Sequence, residues 1–140
     1  MRTFAHLVYV FGLVVFSSSV QAFDGNMLMK ACNALKKDTG RQIAHEHITC
    51  IGYLRGYVDG QQIATYMAAD KAKIGEYNRP LKDEELKRHS EYCIPKEADN
   101  AEQLGLVVLR YLENNPKDLH IPAGLLVWAA LKDAYPCWKR

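Results

Sequence analysis

Several features are missing from this chain, and each absence removes a class of function. No segment after the N-terminus is apolar enough over about 20 residues to span a bilayer. Basic and acidic residues nearly balance, 18 Lys and Arg against 16 Asp and Glu, and they alternate without forming a basic stripe. That excludes the electrostatic footprint of a nucleic-acid binder and tight binding to an anionic membrane surface. No alternating strand pattern is present. Gly-rich phosphate loops, G-x-S-x-G and H-E-x-x-H are all absent, so no known catalytic motif is offered.

What is present begins with a leader. Arg2 is followed by an almost wholly apolar run from Phe4 to Phe16, then Ser17, Ser18, Ser19 and Val20-Gln21-Ala22. A positive start, a short apolar stretch and small residues before the cut are the order of a secretory signal peptide. We place the cut after Ala22, giving a signal peptide over 1–22 and one mature domain over 23–140. No cysteine sits immediately after the cut, which argues against a lipid anchor. With Arg2 gone, the formal net charge of +2 falls to +1.

All four cysteines, Cys32, Cys50, Cys93 and Cys137, belong to the mature part. An even count in a small exported domain predicts two disulfides, and a core this small gains from them. Four cysteines allow three pairings, and the helix layout selects among them. Apolar spacing predicts a first helix from about Gly25 to Lys37, capped by Asp24, with Met27, Leu28, Ala31, Cys32 and Leu35 inward. A second runs from about Glu46 to Ala72 with a stripe of Cys50, Tyr53, Leu54, Tyr57, Val58, Gln61 and Thr65. The charged stretch 71–92 reads equally as a solvated connector or as a binding element, and within it LKDEELKRH has the composition of a turn or two of exposed helix. A third helix follows Asn100, whose spacing to Gln103 suggests a capping box. It faces inward through Leu104, Val107, Val108 and Tyr111 and stops at Asn114-Asn115-Pro116. The fourth, from Pro122 to Ala134, faces inward through Leu126, Val127, Ala130, Leu131 and Ala134. The fold class is therefore all-α: a small domain of four main helices stapled by two disulfides. Antiparallel neighbours bring Cys32 to Cys50, and a hairpin of the last two helices brings Cys93 to Cys137.

The stretch CIGYLRGYVDG sets Gly52, Gly56 and Gly60 on one ridge of the second helix. Each costs about 1 kcal/mol relative to Ala, which close approach of another backbone offsets. Two seams satisfy that: another helix of the same domain, or a second copy of the chain. Asp59 lies beside the ridge and needs a donor wherever it is buried.

Groups able to do chemistry are few. HEHITC places His45, His47 and Cys50 close together, but the spacing is loose for zinc and Cys50 has a better use in a disulfide. The same bond removes a thiol nucleophile. Asp83, Glu84 and Glu85 have no apolar neighbours in sequence to raise a pKa. We therefore expect no catalytic residues, no metal and no cofactor.

In order along the chain, FDGNMLMKAC, CIGYLRGYVDG, CIPKEADNAEQL, VVLRYLENNP and IPAGLLVWAALKDAYPC resemble the Rap/Tai family of periplasmic immunity proteins, over nearly the whole mature part. The resemblance implies an all-helical, disulfide-bearing homodimer. Its implied function is to bind and inhibit a type VI secretion peptidoglycan amidase toxin by occluding the active site. It supports the four cysteines as framework and Gly52, Tyr53, Gly56 and Asp59 as helix-packing positions. Contact residues do not carry over. From charge and exposure, Arg79, Lys82 and Lys117 are the candidates for pairing with acidic groups on a toxin. A second class, a periplasmic acid-stress chaperone-like helical protein, fits the same composition. Two disulfides disfavour it, because an order–disorder switch needs a weakly held element.

Overall fold

The computed structural model describes residues 22–36, 45–71 and 82–137. The expected signal peptide lies almost entirely outside these residues. Among the described residues five α-helices form: α1 (Gly25–Cys32), α2 (His45–Lys71), α3 (Asp83–His89), α4 (Ala101–Asn114) and α5 (Ala123–Ala134). Three short 3-10 turns, Asn33–Lys36, Lys96–Ala98 and Pro116–Asp118, tighten the connections. The four expected helices are α1, α2, α4 and α5, and the charged connector contributes α3.

Asp24 caps α1 by accepting a 2.9 Å bond from the Met27 N–H. The helix start is also tied to the other end of the chain. Gly25 and Asn26 donate their backbone N–H groups to Ile121 and Leu119, and Ala123 donates to Phe23. Asp24 and Pro122 form an isolated antiparallel bridge, and among the described residues no strand accompanies it. Gly25 permits this junction. A Cβ there would overlap Leu126 Cδ1 and lie 2.9 Å from the Leu119 carbonyl oxygen. Asn100 caps α4 by accepting from Glu102 N–H, one residue earlier than a capping box places that bond.

The core joins Leu28, Cys32, Cys50, Leu54, Val58, Leu104, Val108, Leu109, Leu112, Leu126, Val127 and Leu131. It is the meeting place of α1, α4, α5 and the first half of α2. Four expected core positions differ. Met27 is 43% exposed, Ala134 is exposed, and Leu109 and Leu112 are buried where Val107 and Tyr111 are only partly so. The reason is geometric: α4 is gripped from two sides, by α2 and by α5, so its buried arc is wider than one stripe.

Both disulfides join the expected partners, Cys32 to Cys50 and Cys93 to Cys137, each with Cα atoms 5.0 Å apart. The first lies wholly inside the core, with both cysteines at zero exposure. The second is half-buried and fastens the chain leaving α3 to the chain leaving α5. The Cys93 N–H donates to the Tyr135 carbonyl beside it, at 2.8 Å.

Candidate interaction surface

Helix α2 is the element on which the site is built. Its 27 residues run about 40 Å, further than the core extends. Cys50, Leu54 and Val58 are buried at i, i+4, i+8, as their spacing requires. Beyond Val58 only Ala69 is buried, and it is not part of the core cluster. The distal half is an arm, and α3 packs against α2.

Gly52, Gly56 and Gly60 fall on the side of α2 opposite that buried stripe. Among the described residues nothing comes within 4 Å of where their Cβ atoms would stand. Of the two seams expected, the one within the domain does not form among the described residues: the ridge turns outward because the buried stripe already occupies the other side of the helix. Gly105 is the glycine that lets two helices close. A Cβ on it would overlap Leu35 Cδ1 and lie 3.5 Å from both Cys50 Sγ and Leu54 Cδ1. Sequence reading missed it because a lone glycine in a helix carries no spacing signal. Asp59 is exposed, so water supplies the donors it was expected to need from the protein.

The outer face continues past the glycines with side chains normally kept inside. Ile63 is 62% exposed, Met67 55% and Tyr66 53%, with Ile48 at 60% near the start of the helix. At about 100° per residue, Ile63 and Met67 share the glycine strip, while Ile48 and Tyr66 border it on one edge. Contiguous exposed apolar groups of this kind mark an interaction surface. On the opposite edge Tyr53 stacks in a tilted pair with Phe23, centroids 4.8 Å apart. Tyr53 and Tyr57 would each lie 3.5 Å from a Cβ at Gly124, so α5 starts close against α2. Gln61 donates to the Tyr57 hydroxyl at 3.2 Å.

Burial raises the Tyr53 and Tyr57 hydroxyls above their ordinary pKa, and Gln61 partly offsets this at Tyr57. Tyr92 is raised furthest, by burial first and then by Tyr57. These phenols stay neutral at physiological pH and act as packing groups. Cys50, held in its disulfide, has no thiolate to offer His45 or His47. His47 instead points Nε2 toward Glu102 at 3.8 Å, between the starts of α2 and α4. Glu84 is paired with Lys87 in solvent. Among the described residues no three His, Cys, Asp or Glu side chains converge as a metal site.

The three basic candidates separate. Arg79 lies outside the described residues. Lys82 is exposed at the start of α3, where its N–H donates to Glu85 at 2.8 Å. Lys117 is exposed in the turn between α4 and α5. That turn is stiff: Asp118 donates to Asn115, Ile121 to Asp118, and the His120 ring contacts the Lys117 carbonyl at 3.0 Å. Lys82 and Lys117 thus belong to different elements, the start of α3 and the turn between α4 and α5.

A cross-stapled helical core, an exposed apolar helix face and a rigid polar turn define a protein-binding domain. The chain belongs to the Rap1a immunity proteins, whose family model matches residues 24–137. The match starts at the α1 cap and ends at the last cysteine, so it takes in every described element. Membership in a family of immunity proteins points to a protein toxin as the partner, and two disulfides fit an exported protein. No curated protein and no solved structure matches the chain significantly.

Proposed function

We propose that this protein is exported by the leader ending at Ala22, acts from residue 23 onward in the periplasm, and neutralises a toxin there. The toxin class we assign is a peptidoglycan amidase delivered by type VI secretion, and the mode is occlusion of its active site. The observation that carries the reading is the family match over 24–137, laid on a fold stapled at both ends. Stiffness has a purpose in such an inhibitor. A surface already ordered loses less entropy on docking, so a small interface binds tightly. The turn 114–120 with Lys117, and the segment around Arg79 and Lys82, are the parts we assign to the cleft. Their charges steer toward acidic groups on its rim.

We further infer a homodimer joined through the outer face of α2. This keeps its apolar side chains out of water and leaves the turn around Lys117 free for the toxin.

Co-expression tests the function. Cells exporting an amidase encoded beside this gene should lyse without the protein and survive with it. A variant lacking residues 1–22 should not rescue, because the target lies in the other compartment. Failure of every secreted toxin of the same cell to bind the purified protein, together with suppression of unrelated aggregation at low pH, would replace this reading with the chaperone one.

A further inference from the structure

The outer face of α2 carries both halves of a joint on a single helix. One half is a groove, Gly52 and Gly56, open to solvent. The other is a pair of knobs, Ile63 and Met67, both more than half exposed. Groove and knobs have the same four-residue spacing and lie on the same strip. We propose that two copies pair their α2 helices antiparallel with knobs in grooves: Ile63 over Gly56 of the second copy and Met67 over its Gly52, each contact occurring twice. This rests on the homodimer reading above and adds to it a register.

The rest of the helix agrees with that register. Its two-fold axis passes between Asp59 and Gly60, and each side chain keeps its own edge of the strip. On one edge, Tyr66 then stands about 3 Å along the axis from Arg55 of the second copy, in range for a guanidinium over a phenol ring. On the other edge, Lys71 stands about 3 Å along the axis from Glu46 of the second copy, opposite charges brought level at both ends of the seam. Asp59 remains at the rim beside the axis, in water. Arg55, Glu46 and Lys71 have no charged partner of their own among the described residues. A parallel pairing would set each charge beside its own copy. A second antiparallel register, glycine against glycine with Gly56 on the axis, brings backbones closer but leaves Met67 without a groove. In water the register that buries the knobs wins, because apolar burial drives the association. The strip is about 40 Å long and about one helix diameter wide, at the low end for a stable dimer. The pairing is therefore concentration-dependent.

Site-specific cross-linking separates the registers without touching a glycine or a knob. In the proposed register two copies of residue 59 lie about 1.5 Å apart along the axis, and two copies of residue 55 about 13.5 Å. A short bismaleimide should therefore join Asp59→Cys into covalent dimers and leave Arg55→Cys unjoined. The reverse pattern would establish the glycine-on-glycine register and overturn this one. Sedimentation of the unmodified purified protein at about 100 µM runs alongside. A dimer that cross-links at neither position keeps the homodimer reading and removes the seam; a monomer removes both. Charge exchange gives a second check. Glu46→Lys should weaken the dimer about five- to tenfold, and adding Lys71→Glu should restore it. No restoration would break the register even where the dimer persists.

Discussion

The two halves of α2 share one helix and obey different rules. From His45 to Val58 the helix is clasped by α1, α4 and a disulfide, and Cys50, Leu54 and Val58 are buried. From Asp59 to Lys71 it leaves the core, and its large apolar side chains face water. The first half is a structural member whose side chains are chosen by packing. The second is held by its continuity with the first, so its side chains are free to be chosen by a partner. A stable body carrying a displayed helix is a sound arrangement for an inhibitor, because the binding surface changes without cost to the fold.

This contrast can be broken or sharpened by measurement. The largest expected effect is at Leu54. Leu54→Ala in the body should lower unfolding free energy by about 2–5 kcal/mol in urea titration, while Met67→Ala in the arm should stay within about 0.5 kcal/mol under conditions where the protein is monomeric. Equal losses would show that the arm is part of the core. The staples come next. Replacing Cys32 and Cys50 together by Ala should cost about 3 kcal/mol, before any change in packing. On graded reduction, mass mapping should find Cys93–Cys137 opened first, because only that bond is reachable by a reductant without unfolding the core.

Smaller and opposite in sign are the glycines. Gly105→Ala should destabilise by about 1 kcal/mol, because its Cβ displaces the Leu35 side chain while Cys50 and Leu54 stay at ordinary contact distance. Gly56→Ala should leave the fold intact and raise the monomer's stability by about 1 kcal/mol, since it gains helix propensity and meets nothing. Gly56→Leu should abolish the dimer while remaining folded.

The smallest effect is at Tyr92, whose hydroxyl is buried without a partner among the described residues. Tyr92→Phe should be neutral or slightly stabilising at pH 7. The raised pKa gives the wild type an alkaline signature. The unfolded tyrosine ionises near pH 10 while the folded one holds its proton, so stability is complete below pH 10 and falls as pH rises past it. Melting curves between pH 9 and 11 should show a shallower fall in the Phe variant.

Much of this fold was legible before any coordinate. Asp24 and Asn100 announced helix starts, Asn114-Asn115-Pro116 announced a stop, and Leu126, Val127, Ala130 and Leu131 on α5 followed from i, i+3, i+4 spacing, though Ala134 did not. Even the disulfide partners followed, since cysteines at the ends of neighbouring antiparallel helices have few other places to go. The interaction surface was half legible. The glycine row was visible, but its direction was not, and Ile63, Tyr66 and Met67 were passed over because apolar residues in a helix ordinarily lie inside.

The reason lies in what periodicity encodes. Local sequence determines where a helix begins and ends and which residues share a side, because caps, breakers and the 3.6-residue turn act over a few positions. It does not determine which of two apolar sides meets the rest of the chain. Both sides of α2 offered a stripe, one of Cys50, Leu54 and Val58, the other of glycines and knobs. The tertiary structure chose the first, because a disulfide to α1 and the bare backbone at Gly105 bring two helices against it at once. With α1 and α4 committed there, the second stripe was left on the outside.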